Sequence, residues 1–115
     1  MEIKKILGQS NPSATTGTIV YTVPDAKGAV ISSIVVCNQA GTAGTFRVYV
    51  TYAGNSPTSK DYLYYDVAIP ANDTFSAVLG ITLSNADYIN VYCSSVNFSF
   101  NIFGAEFDQT NVYLP

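Results

Sequence analysis

The chain contains no histidine and no tryptophan, and charged residues make up only 11% of its 115 positions. Without an imidazole, no side chain titrates near neutrality at its ordinary pKa. His-based acid–base catalysis, Ser-His and Cys-His nucleophile pairs and imidazole metal ligation are therefore excluded. Five Lys and Arg face eight Asp and Glu, for a net charge of −3. The cations Lys4, Lys5, Lys27, Arg47 and Lys60 are scattered, so no stripe exists for phosphates, and neither nucleic acid nor an anionic membrane is an expected partner. No apolar run approaches the roughly 18 residues of a membrane helix; the longest is Ile34-Val35-Val36-Cys37. The two cysteines, Cys37 and Cys93, lack CxxC spacing and sit in strand-like runs, which predicts buried, reduced thiols. Met1 to Leu7 stops short at Gly8-Gln9-Ser10 and does not read as a secretory leader, so synthesis in a cytoplasm is expected.

Helical periodicity is missing as well, while period-two alternation recurs throughout. Ile19 to Val23 reads as a strand stopped at Pro24-Asp25, and Ala29 to Cys37 as a strand covered on both faces. Phe46-Val48-Val50-Tyr52 alternates with Arg47-Tyr49-Thr51. Over Tyr62–Ile69 the same alternation sets Leu63, Tyr65, Val67 and Ile69 on an inner face and Tyr62, Tyr64 and Asp66 on the other. Phe75–Leu83, with Gly80 as a bulge or close-approach point, Tyr88–Ser94 and Phe98 to about Phe107 complete the series. The spacing predicts an all-β domain, an antiparallel β-sandwich or jelly roll of seven to eight strands. By composition, residues 1–18 form an N-terminal strand and arm, residues 19–107 the sandwich core and residues 108–115 a C-terminal tail.

The polar quota is filled by Ser, Thr, Asn and nine Tyr rather than by charge. Such groups enter an interface at a lower desolvation cost than Lys or Glu, which points to a subunit of an assembly. Candidate contact residues are the apolar side chains near the two ends, Ile3, Ile6, Leu7, Val112, Tyr113 and Leu114, and the aromatic pair Tyr62 and Tyr64. The ends either strap a neighbour by adding a strand or cover sheet edges of their own domain. Asp25, Asp73 and Asp87 fall in turns, where aspartate bonds to backbone, and no Asp-x-Asp-x-Asp-Gly calcium loop is present. The sequon matches Asn72-Asp73-Thr74 and Asn97-Phe98-Ser99 are chance composition without a leader. No catalytic, metal-ligating or cofactor-binding residue is expected.

Several segments in order carry a resemblance: Ile6-Leu7-Gly8-Gln9, Tyr21-Thr22-Val23-Pro24, Val30 to Asn38, Thr45-Phe46-Arg47-Val48, Asp61 to Asp66, Ala71 to Phe75, Leu79 to Leu83 and Ser99 to Gly104. Together they resemble a family of small virion structural proteins of tailed bacteriophages, including cyanophages, over about residues 6–107. The resemblance implies a β-sandwich without catalytic residues. Family members often place a glycine between the proline and the lysine of the first turn, where this chain has Asp25-Ala26-Lys27. Many end near the position of Phe107, so the tail is a departure. The expected role is a capsid decoration (cement) subunit outside the head, homo-oligomeric with a trimer favoured, contacting the major capsid protein or other virion proteins. The alternative is a tail, neck or fibre accessory protein that binds host-surface glycan through Tyr62 and Tyr64 or the Gly54–Ser59 loop.

Overall fold

The computed structural model describes residues 2–52 and 55–109. Eight strands follow one another: β1 (Glu2–Ser10), β2 (Thr18–Thr22), β3 (Lys27–Asn38), β4 (Gly44–Thr51), β5 (Tyr62–Ile69), β6 (Thr74–Leu83), β7 (Tyr88–Cys93) and β8 (Phe98–Asp108). One 3-10 turn, Ser59–Asp61, leads into β5. The strands form two antiparallel sheets in the orders β1-β8-β3-β6 and β2-β7-β4-β5. The pairings β4–β5, β3–β6, β2–β7 and β1–β8 are nested inside one another, so the chain is one long hairpin folded over into two layers. That is the jelly-roll order.

Alternation along each strand sends one set of side chains into the space between the sheets. Phe98, Phe100 and Ile102 of β8 meet Ile31, Ile34 and Val36 of β3 there, and Phe46 and Val48 of β4 with Ile89 and Val91 of β7 close the layer from the other side. All ten are fully buried. Each contributes roughly 1.5–3 kcal/mol of apolar transfer free energy, so this layer is what holds the two sheets together. One polar side chain is as deeply buried: the Asn38 amide donates to the carbonyls of Thr42, Ile69 and Pro70, while its Oδ1 accepts from Ala40 N–H. It fastens the β3–β4 loop to the β5–β6 corner with every hydrogen-bonding site used.

Three placements are decided by strand pairing and not by alternation alone. First, of the two placements open to the N-terminal run, residues 2–10 take the one within their own domain: β1 is an edge strand along β8, and Leu7 belongs to the core. A short amphipathic run reads the same from sequence whether it covers its own sheet or a neighbour's. Second, Phe46 pairs with Val67 but Val48 with Tyr64, so two residues of β5, Tyr65 and Asp66, oppose one of β4, Arg47. The extra residue forms a β-bulge with Asp66 in the left-handed region at φ 51°. The bulge exchanges the facing of Tyr64 and Tyr65, so Tyr64 packs into the core while Tyr65 is 57% exposed, and a second shift between Tyr64 and Tyr62 returns Tyr62 to the outer face. Third, β6 steps from Ile81 to Val78 while β3 steps from Ile31 to Ser33, a bulge around Leu79 and Gly80. A Cβ added to Gly80 would meet nothing, so this glycine marks the bulge and not a close approach.

The turn between β2 and β3 puts Ala26 at φ 60°, a conformation that costs an L-residue roughly 1–2 kcal/mol and glycine almost nothing. Ala26→Gly should therefore raise stability by about 0.5–1 kcal/mol after the entropy of the freer unfolded chain is subtracted. Chemical denaturation with an unchanged slope checks it, and a loss of stability would contradict the turn geometry.

The cysteines are both free. Cys93 lies in the core, and burial pushes its thiol pKa up, whereas Cys37 is only half-buried. One thiol should react with an aromatic disulfide reagent in the native protein and two after denaturation. Equal reactivity of both in the native state would contradict the placement of Cys93.

Candidate interaction surfaces

The register of the β1-β8-β3-β6 sheet arranges its outward side chains in transverse rows. One row runs Lys4, Ala105, Val30, Thr82 and the next Ile6, Phe103, Ser33, Val78. A third runs Gln9, Asn101, Val35, Ser76, with the Gln9 amide donating to Asn101 at 2.6 Å. The half of the face nearer Lys4 is therefore apolar. A shallow hollow on it is lined by Ile6, Val30, Phe103 and Ala105, with Glu2, Lys4 and Lys5 at its rim. Ile6 is 50% exposed and Val78 91%. Large aliphatic groups left in water on a flat sheet face mark a contact surface.

The outer face of the β2-β7-β4-β5 sheet is aromatic and polar. Arg47 on β4 forms a bidentate pair with Asp66, through Nε at 2.6 Å and Nη2 at 3.2 Å. Its guanidinium lies 4.2 Å from the ring centre of Tyr65 and 4.5 Å from that of Tyr92. The ion pair holds the Asp66 carboxyl below its ordinary pKa. Tyr65 meets Tyr62 edge-on at 4.9 Å, and Tyr62 in turn lies against Tyr49. Pro57, Thr58, Ser59, Tyr62 and Tyr65 line a second shallow hollow. The cluster was hidden from strict alternation by the bulge. An aspartate inside an aromatic strand run is the one sequence signal for it, because aspartate tolerates left-handed backbone better than its β-branched neighbours.

The sequence-derived candidates thus separate. Ile3 and Ile6 are exposed on β1, Leu7 is in the core, and Tyr62 sits on the aromatic face. Tyr64 does not: its ring packs against Phe46 and Phe75 between the sheets. Val112, Tyr113 and Leu114 lie outside the described residues. Of the turn aspartates, Asp73 accepts from Thr74 N–H and Asp87 from Ser84 N–H, while Asp25 accepts from the Asn85 amide. Among the described residues no three of Cys, Asp and Glu come together as metal ligands would, and no helix is long and apolar enough to cross a membrane. Compared with known proteins, the chain matches no family model and no curated relative.

Glu106 is an acidic group that ties the two sheets together. It accepts from Tyr21 O–H of β2 at 2.6 Å through one oxygen and from Lys5 of β1 at 3.2 Å through the other. Tyr21 first and Lys5 second hold the Glu106 carboxyl below its ordinary pKa of 4.5, and burial together with Glu106 raises that of Tyr21. A depressed carboxyl releases its proton more readily folded than unfolded. Its stabilisation is complete above pH 4.5 and is lost as pH falls through the lower folded value. Glu106→Gln should therefore lower the melting temperature at pH 7, with the two proteins converging as the pH is taken to about 3. A constant gap across that range would show that Glu106 contributes packing rather than charge.

Proposed function

We propose that this chain is a non-enzymatic structural subunit of a phage virion, a decoration subunit held on the outside of the head by protein–protein contacts. The observation that carries the reading is the half-apolar outer face of the β1-β8-β3-β6 sheet, with Ile6, Val30, Phe103 and Ala105 grouped in one hollow. A face of this kind binds a neighbour by burying area, and it needs no chemistry. The jelly-roll order and the ordered segments shared with small virion proteins of tailed phages support the assignment. Neighbouring capsid proteins are its partners, and the head exterior is its place. Binding across junctions there opposes internal pressure by adding contacts between subunits.

A second reading rests on the other sheet. The exposed Tyr65, edge-on to Tyr62 beside the Arg47–Asp66 pair, offers apolar area flanked by hydrogen-bonding groups, which is what a sugar ring requires. On that reading the protein serves on a tail, neck or fibre and binds host-surface glycan. Stoichiometry in the particle separates the two: a head subunit follows the capsid lattice, and a tail subunit the few-fold symmetry of the tail.

Ile6→Glu tests the first reading directly. Ile6 is half exposed, so the domain should melt normally, while attachment to particles stripped of the native protein should weaken at least tenfold, about 1.4 kcal/mol. Unchanged attachment by Ile6→Glu, with loss of attachment by Tyr65→Ala, would move the contact to the aromatic face.

A further inference from the structure

A two-layer sandwich exposes four sheet edges, and each edge carries unpaired backbone groups that invite another strand. Three of the four are guarded here. β1 carries Glu2, Lys4 and Lys5, and its register breaks between Ile6 and Gly8. β2 is five residues long and breaks at Val20. β5 is interrupted twice and carries Asp66 at φ 51°. β6 is different. Its ten residues, Thr-Phe-Ser-Ala-Val-Leu-Gly-Ile-Thr-Leu, include no charge and no proline, and Thr74–Val78 runs in unbroken register with β3.

The same side of the sandwich leaves its core open. On the β1–β2 flank, Gly8 lies tight against the Val20 backbone, and the Tyr21–Glu106–Lys5 bonds close the gap. On the β5–β6 flank, Tyr64, Val67, Phe75, Leu79 and Ile81 pack against the core yet remain partly exposed. The Tyr64 and Phe75 rings, 5.2 Å apart, bridge that flank.

We infer that β6 is a pairing edge for a second copy of this chain, antiparallel about a two-fold axis at Ala77. Asn38 N–H donates to the Asp73 carbonyl, and Phe75 lies opposite Val36. By antiparallel alternation the odd-numbered residues from Asp73 to Ala77 bond to β3, which turns the N–H and C=O of Ser76 and Val78 outward. The Thr74 N–H is already taken by Asp73 Oδ1. Centring the pair on Ala77 sets Ser76 against Val78 of the second copy twice over, and these four backbone groups on each strand complete one another. The same register brings Phe75 opposite Leu79 of the second copy on the inner side, with the small Ala77 side chains meeting on the axis. The partly exposed core residues of both flanks are thereby covered. Self-pairing costs no charge repulsion, because the strand carries no charge, and the two β1-β8-β3-β6 sheets become one continuous sheet. This pairing stands on the fold alone and does not depend on the virion reading.

A two-fold contact closes at two copies, whereas a trimer needs a head-to-tail contact. Light scattering during size exclusion of the full chain should give the mass of two chains at tens of micromolar, unchanged between low and high salt. A mass of one or of three chains overturns the inference. Ser76→Pro removes an outward N–H that β3 does not use, so it should give the mass of one chain with an unchanged melting profile. A Ser76→Pro protein that stays at two chains with normal melting also overturns it. Should that variant melt early, Val78→Glu decides, since its side chain is 91% exposed and folding is untouched. It should raise the dissociation constant at least tenfold at low salt and less at high salt; a wild-type constant overturns the pairing.

Discussion

Phe46 touches both layers of the molecule at once. From β4 its ring reaches Phe100 at 6.2 Å and Phe75 at 5.1 Å on the opposite sheet, and Tyr64 at 6.1 Å on its own. Because these rings must share one dry layer, the strands that carry them have little freedom of register. A slip of one residue would turn each of them to water. The β5 bulge follows from the same constraint. Val67 and Ile69 face inward, and Tyr64 can join them only if one residue of β5 is looped out. That looped residue neighbourhood is Tyr65-Asp66, which brings the carboxylate within reach of Arg47. The polar cluster on the outer face is thus a consequence of how aromatic rings pack on the inner one.

The two flanks of the sandwich are built on different principles. The β1–β2 side is closed by specific polar bonds and by a glycine that admits close backbone contact. Among the described residues, the β5–β6 side beyond the Asn38 corner is closed mainly by side-chain bulk. Specific bonds fix geometry without leaving apolar area over, whereas bulk leaves a margin still exposed to water. The apolar half of the β1-β8-β3-β6 outer face adjoins that margin through Val78, in one row with Ile6 and Phe103. The surface most suited to neighbours is therefore continuous around one corner of the molecule.

Strand existence was legible because it is local. Alternation, Pro24 after β2 and the aspartate turns at Asp73 and Asp87 place most strands within a few residues. Sheet membership was not legible, since consecutive strands mostly alternate between layers and no local signal says which. The facing of Tyr64 and Tyr65 failed for a related reason: a bulge is imposed by a partner strand, here by the β4 pairs Phe46–Val67 and Val48–Tyr64. Asn38 read as the start of a small-residue loop, and nothing in the sequence marks its three carbonyl partners, two of which lie more than thirty residues away. Hydrophobicity alone marks Ile6 as a contact residue, and its position in the outer hollow follows from the register with Phe103.

The nesting of the strand pairs also bears on how the chain can be brought together. Most of its tertiary contacts join residues far apart in sequence, an arrangement that ordinarily closes large loops at an entropic cost growing with their length. Nesting removes much of that cost. Once β4 and β5 are joined across residues 52–61, β3 and β6 are separated only by the connectors 39–43 and 70–73. The same holds outward for β2 with β7 and then for β1 with β8. Each closure shortens the effective loop for the next, so the cheapest route runs from the middle of the chain to its ends. On that route Glu2 and Phe107, the most distant pair in the sequence, meet last and across a gap that is already nearly closed.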